Sequence, residues 1–235
     1  MTEQLYLKDT YKFYFKAIIL EIGEDKYGKF IILNQTIFYP QGGGQPSDNG
    51  IIKNNNYEII INLVRQNDNK IRHYTSMSIN SDIVNANIEC YINQDRRLLN
   101  SKFHTAAHLL SNIIEQNYHK LKAIKGHSFP GEAYVEFQGE DVVDSNKIQN
   151  IITEVIARND LIKILEIDSQ TFEKQFYKLP YSIPEHKKFR VMQIGNMSPT
   201  PCGGTHLSCL HEIGNINIIK IKAKNNITRI SYEVT

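Results

Sequence analysis

Up to about residue 93 the apolar positions fall in short β-branched and aromatic runs, YKFYFKAIILEI, KFIIL, TIFY, GIIK, YEIIINLV, KIRHYT and NIECYI. Turn-forming EDKYG, PQGGGQPSDNG, KNNN and RQNDN separate them. Strands this short at near-regular spacing predict a small β-barrel over residues 1–93. At about residue 94 the period changes. In RRLLNSKFHTAAHLLSNIIEQNYHK the apolar residues at 99, 103, 106, 110, 113 and 114 keep the spacing of an amphipathic helix, which opens a second domain, 94–235. Within it AYVEF, LIKILEI and FRVMQI read as strands, and Ser145 caps a helix with the ridge Ile148, Ile151, Ile152, Val155 and Ile156, ended near Asn159. NINIIKIKAK and ITRISYEV form a hairpin about Asn225-Asn226, with Ile230, Tyr232 and Val234 on one face. The fold class expected is α+β: a small N-terminal β-barrel, then an α+β domain with helices on a mainly antiparallel sheet.

Composition narrows the class. The 235 residues are 41% hydrophobic and 22% charged, ordinary globular values that exclude a disordered or fibrous chain. No stretch approaches the roughly 20 apolar residues of a membrane span, and MTEQLYLKDTYKF lacks a signal-peptide layout. A soluble cytoplasmic protein is expected, with no membrane partner and no obligate protein partner. The cysteines Cys90, Cys202 and Cys209 are too few and too odd in number for a disulfide framework, which leaves metal binding or catalysis as their chemistry. With 27 Lys and Arg against 25 Asp and Glu, the net charge of +2 excludes a protein that coats nucleic acid by bulk charge. Contact with nucleic acid needs local patches. The candidates are Lys120, Lys122 and Lys125; Lys187, Lys188 and Arg190; and Lys220, Lys222 and Lys224, though such segments are more often solvated surface than phosphate sites.

His104 and His108 stand four apart in HTAAH, so both leave one face of the helix and can reach a single metal ion. On the helical wheel the apolar arc centres near Phe103, Leu99 and Leu110, and His104, His108, Ser111 and Glu115 form a ridge opposite, facing away from the helix's own core. Two solvated histidines are the plainer alternative. Thr105 occupies the place of the metalloprotease glutamate, which argues against that route to peptide hydrolysis. Far downstream, PCGGTHLSCLHEIG holds Cys202 and His206, again four apart, about two glycines that permit a tight turn. Thiolate and imidazole together suit Zn²⁺ over Mg²⁺ or Ca²⁺. Both pairs arise together by chance in about a few per cent of such chains. A local Cys202, His206, Cys209, His211 cluster, or a buried free cysteine beside a loop histidine, stays open. Gly42, Gly43, Gly44 and Gln45 lie between predicted strands, and they make neither a Walker loop nor a dinucleotide fingerprint.

LNQTIFYPQGGGQPSDNG, then RRLLNSKFHTAAHLL, then PCGGTHLSCLHEIG and ITRISYEV, taken in this order, resemble the AlaX-type alanyl-tRNA editing proteins, which are similar to the editing domain of alanyl-tRNA synthetase. The resemblance covers nearly the whole chain and favours the medium-sized, free-standing type. It implies hydrolysis of the ester between a wrong amino acid and the terminal adenosine of tRNA(Ala), most of all Ser-tRNA(Ala). It implies one Zn²⁺ per chain on His104, His108, Cys202 and His206. It also implies substrate contacts from Gly42, Gly43, Gly44 and Gln45, and a role for Thr36 in sensing the serine hydroxyl. KAIKGHSFPGEAYVEF matches only loosely, so the resemblance assigns no catalytic polar residue there.

Overall fold

The computed structural model describes residues 2–168, 170–171 and 188–235. The fold is α+β, with few helices and almost wholly antiparallel sheets, and the chain divides into two compact units, Met1–Ser101 and Lys102–Thr235.

The first unit carries β1 (Glu3–Gln4), β2 (Tyr14–Asp25), β3 (Gly28–Leu33), β4 (Gln35–Thr36), β5 (Gly50–Lys53), β6 (Glu58–Ile61), β7 (Leu63–Asn67), β8 (Lys70–Thr75) and β9 (Asn87–Ile92). Seven of these form one sheet in the order β6-β5-β9-β2-β3-β8-β7. In β2 the buried Phe15, Ala17 and Ile19 alternate with exposed neighbours, the pattern of a strand with one face on a core. A bulge between Ile19 and Glu21 bends β2, so that its first half pairs with β9 and its second with β3. The closed barrel expected from the strand spacing is not formed: among the described residues β6 and β7, the two ends of the sheet, are not paired with each other. They follow one another with only Asn62 between them, so a single extended run serves β5 with one half and β8 with the other. TIFY contributes little to the ladder, since β4 stops at Thr36 and Ile37 and Phe38 turn into the core.

Helix α1 (Gln94–Asn117) begins in this unit. Its Arg97 is fully buried and paired with an equally buried Asp48. The guanidinium also donates to the carbonyls of Thr10, at 2.9 Å, and Ile37, so its charge and its donors are answered without water.

The second unit adds β10 (Lys122–His127), β11 (Tyr134–Gln138), α2 (Ser145–Ala157), β12 (Ile162–Asp168), β13 (Lys188–Ile194), β14 (Thr200–Pro201), β15 (Ile216–Lys224) and β16 (Ile227–Val234). Its sheets run β10-β11-β16-β15 and β12-β13-β14. Asn225 and Asn226, both with positive φ, close the β15–β16 hairpin as expected, and Ile230 and Tyr232 point into the core. The cap of α2 is Asp144, one residue ahead of Ser145; its carboxylate accepts from the amides of Asn146 and Lys147. Two capping residues stand side by side, and the acid takes both amides. Ile148, Ile152 and Val155 are the fully buried ridge of α2, and Gln149 ties the helix to β15 through the Ile216 carbonyl and the Ile218 amide.

The wheel reading of α1 is corrected here. Phe103, Ala106, Leu110 and Ile113 are buried, but so are His104, Thr105 and Leu109, whereas Leu99 is 43% exposed. In the second unit α1 is a central helix. The Tyr232 hydroxyl reaches the Phe103 carbonyl at 2.8 Å, and Leu207 and Leu210 join the same core cluster from downstream. A wheel ranks apolar faces and cannot show that a polar face will be covered by a later segment.

Candidate metal centre

His104 and His108 rise one turn apart from α1. Cys202 follows directly on β14, where its amide donates to the Arg190 carbonyl of β13 at 3.2 Å and prolongs the ladder that pairs Val191 with Pro201. The missing amide of Pro201 suits the short edge strand. Beyond Cys202 the chain turns through Gly203 and Gly204, and the Gly204 amide donates to Cys202 Sγ at 3.3 Å. His206 then faces back. The ligand atoms of His104, His108, Cys202 and His206 all lie within 4.8 Å of one another. Cys202 Sγ stands 3.6 Å from His104 Nε2 and 3.2 Å from His206 Nε2. Donors about 2.0–2.3 Å from a tetrahedral ion are separated by roughly 3.3–3.7 Å, so the two thiol–imidazole spacings are close to those of ligands around one ion.

The sequence reading missed the residue that docks the two motifs together. Thr105, between the two helix histidines, is fully buried; its Oγ1 accepts from the Leu207 amide at 3.2 Å and lies 3.3 Å from His206 Nδ1. With Nδ1–H donating to Thr105, the lone pair of His206 Nε2 is free for an ion. The small Ala106 and Ala107 follow it, both buried. The signal was present in HTAAH as a hydroxyl where a metalloprotease would carry a carboxylate. Arg190, a candidate for phosphate contact, donates from Nη1 to the Cys202 carbonyl at 2.6 Å.

Electrostatics agree with a cation site. Burial holds His104 and His206 well below the usual imidazole range, helped by their histidine neighbours and Arg190. Burial followed by Arg190 takes His108 to about 4. All three rings are therefore neutral donors near pH 7. Burial pushes the Cys202 thiol up, opposed by the Gly204 amide and Arg190, so a bound cation is what would complete a thiolate. Three neutral imidazoles and one thiol that converge, His104 and His206 buried and His108 and Cys202 half-buried, can hold a metal ion. The local alternative does not assemble: Cys209 caps the 3-10 turn Leu210–Ile213 with its thiol 3.7 Å from Glu212, and His211 is exposed.

The remaining candidates lie as follows. Thr36 is fully buried in the first unit, its Oγ1 2.8 Å from His73 Nε2 and accepting from the Phe38 amide at 3.0 Å. His73 Nδ1 lies 3.0 Å from the Ile31 carbonyl, so Nδ1 carries the proton and Thr36 donates to Nε2. Gly42 and Gln45 exchange backbone hydrogen bonds about Gly43 and Gly44, whose φ of 54° and 79° are left-handed, and the Tyr39 hydroxyl donates to the Gly42 carbonyl at 2.9 Å. Lys122, Lys125, Lys220, Lys222 and Lys224 share one sheet, whereas Lys120 sits in the turn after α1 and Lys188 opens β13. Lys187 lies outside the described residues.

Residues 10–96 match the family "tRNA synthetases class II (A)", and residues 189–231, which include Cys202 and His206, match "Threonyl and Alanyl tRNA synthetase second additional domain". The alanyl-tRNA editing protein AlaX-L of Pyrococcus horikoshii is 31% identical over 99% of this chain, which spans 58% of that protein. The alanyl-tRNA editing protein AlaX-M of Methanosarcina barkeri is 30% identical over 99% of this chain and 98% of its own length. The alanine–tRNA ligase of Halobacterium salinarum is 26% identical over 98% of this chain, which spans 26% of the ligase. Matched end to end with AlaX-M, the chain belongs to the AlaX family of alanyl-tRNA editing proteins.

Proposed function

We propose that the protein is a trans-editing hydrolase of the cytoplasm, cleaving the ester that joins a wrong amino acid to tRNA(Ala), with Ser-tRNA(Ala) as main substrate and Gly-tRNA(Ala) as a second. One conjunction carries this reading: a convergent Cys/His₃ cluster in a chain that aligns over its whole length with an alanyl-tRNA editing protein. One Zn²⁺ per chain is the ion that the donor set suits. Held by His104, His108, Cys202 and His206, zinc would supply Lewis acidity toward the polar groups of the ester.

The chain's own residues set up the site. Thr105 fixes the orientation of His206 through Nδ1. The Gly204 amide favours charge on Cys202 Sγ. Arg190 holds the Cys202 backbone to β13, and its charge disfavours a proton on each of the three imidazoles. An aminoacyl ester has a good leaving group, so positioning and delivery of water suffice. Glu115 is no general base for it: its carboxylate accepts from the Ala123 amide at 2.7 Å, roughly 10 Å along the helix from His108.

Serine is the error that a hydroxyl handle can detect, because excluding a larger residue cannot spare alanine. We assign that handle to Thr36 on the family resemblance; its hydroxyl, fully buried, is oriented by His73 and the Phe38 amide. A second reading draws on the four-donor count, which is that of a closed, structural zinc site: a tRNA-binding protein without hydrolysis. A deacylation assay on Ser-, Gly- and Ala-tRNA(Ala), with a small serine ester in parallel, separates the readings. Serine released from tRNA but not from the ester supports editing. Release from both identifies a general esterase, and release from neither identifies the binding protein.

A further inference from the structure

Two lysine-rich segments almost a hundred residues apart meet on one surface. In the sheet β10-β11-β16-β15, Val135, Phe137, Ile230 and Tyr232 face the core. The alternate positions carry Lys122 and Lys125 on β10, Lys220, Lys222 and Lys224 on β15, and Arg229 on β16, all exposed. The register aligns them in rows, and one row reads Lys125, Glu136, Arg229, Lys222. Glu136 and Glu233 are the acids at outward positions of these strands, and Glu136 is taken by Arg229 at 2.9 Å. Arg229 and Lys222 are direct cross-strand partners, and Lys220, Lys222 and Lys224 recur every second residue, about 6.8 Å apart. Like charges set opposite each other destabilise a sheet. A row of phosphates, whose repeat along an RNA strand is of the same order, removes that cost.

Beside the cations lies a run of ring contacts. Phe129 stacks on His127 with centroids 4.3 Å apart and an interplanar angle of 5°, and His127 meets Tyr134 at 5.1 Å. The Arg229 guanidinium lies 4.1 Å over the Tyr134 ring, and Glu132 stands 3.5 Å from His127. Aromatic rings interleaved with a basic face are the physical means by which RNA is held without reading its sequence.

We propose that the outward face of this four-stranded sheet is a binding surface for the phosphate backbone of the tRNA substrate. The charge complementarity and the ring run carry the proposal, and the identity of the polyanion rests on the deacylation reading given above. Binding of uncharged tRNA to the full-length, metal-loaded protein tests it, measured between 50 and 200 mM salt. Lys220→Gln, Lys222→Gln, Lys224→Gln combined should weaken binding about ten- to a hundredfold and flatten the slope of log K against log salt by about 2 to 3, since each lost phosphate contact removes somewhat less than one unit. Arg229→Gln should weaken it further in the same direction. Lys12→Gln, Lys16→Gln, Lys26→Gln combined, which removes three exposed lysines of the first unit, should leave affinity unchanged. Melting temperature and metal content report that each variant is folded.

Wild-type tRNA affinity and slope in the β15 triple variant overturn the proposal, even where the wild type deacylates Ser-tRNA(Ala). Loss of binding in that variant upholds it, even where no mischarged tRNA is hydrolysed. Loss of binding to vesicles of anionic phospholipid, with tRNA affinity intact, overturns it in favour of a membrane surface.

Discussion

Thr105 illustrates what one hydroxyl can hold. It touches the loop that brings in Cys202 and His206 and also the far nitrogen of one ligand, so Thr105→Ala should lower zinc affinity by roughly ten- to a hundredfold, the usual effect of losing a partner behind a ligand. Competition against a chromogenic chelator measures it, and Thr105→Ser should keep most of the affinity. Thr36→Val keeps shape and removes the hydroxyl; it should lower the Ser-over-Ala hydrolysis ratio by roughly ten- to a hundredfold, with Thr36→Ser close to wild type. An unchanged ratio would remove Thr36 from substrate selection. Its neighbour His73 makes a separate prediction. Burial lowers its pKa to about 4, partly offset by the Ile31 carbonyl, against about 6.5 when unfolded. The unfolded chain therefore binds more protons between those values. The stability this ring contributes is complete above pH 6.5 and is lost as pH falls toward 4, on the order of 3 kcal/mol in all. Denaturant midpoints at pH 7 and pH 5 should differ less in His73→Gln than in wild type. Of these residues, His104 and His108 were legible from spacing, because an i,i+4 pair on a helix carries its geometry with it; Cys202 and His206, set about a Gly-Gly turn, joined them through the family resemblance. Thr105 and His73 were not, because their roles depend on contacts between distant segments.

At the level of elements, most strands and both helices could be read from period, and their polar faces could not. The His104–His108 face of α1 looked solvated on a wheel because nothing local says that residues 202–213 return to cover it. The short strand β10 was lost among lysines: its pattern is almost entirely exposed, so hydrophobic alternation had nothing to mark. The glycine loop has a reason apart from ligand approach. Gly43 and Gly44 both need left-handed φ to close the Gly42–Gln45 turn. Gly44→Val should destabilise the first unit by about 1–2 kcal/mol with zinc content unchanged, and Gly44→Asn should cost less. Gly50 is stricter, since a Cβ there would meet the Tyr91 carbonyl oxygen at 2.1 Å. The buried pair of Arg97 and Asp48 anchors the first turns of α1, and Arg97→Ala should cost about 3–5 kcal/mol by stranding the carboxylate, as urea unfolding would show.

For the whole molecule, a net charge of +2 concealed an uneven distribution. Composition counts charges without placing them, and strand register gathers six cations onto one sheet face. The same limit explains the expected barrel. Strand spacing shows that a sheet exists, but closure depends on which edges pair, and here the run from β6 to β7 takes the place of an edge-to-edge ladder. If the metal centre holds both motifs of the second unit, His104→Ala with His108→Ala should leave the purified protein without stoichiometric zinc and abolish serine release together. Zinc retained at full occupancy in that variant would assign the ion elsewhere.

The three cysteines sit in three different environments, and that difference makes the chain its own occupancy gauge. Cys90 is sealed in the first core and burial pushes its thiol far up, so it should resist an alkylating reagent until the protein unfolds. Cys209, half-buried at the head of a short turn, should react in either state. Cys202, half-buried and so within reach of a reagent, should be shielded by a bound ion and react, more slowly than Cys209, on its removal. Mass spectrometry after brief alkylation should therefore count one label on the loaded protein, two after chelation and three after denaturation, reporting metal content molecule by molecule without any measurement of catalysis.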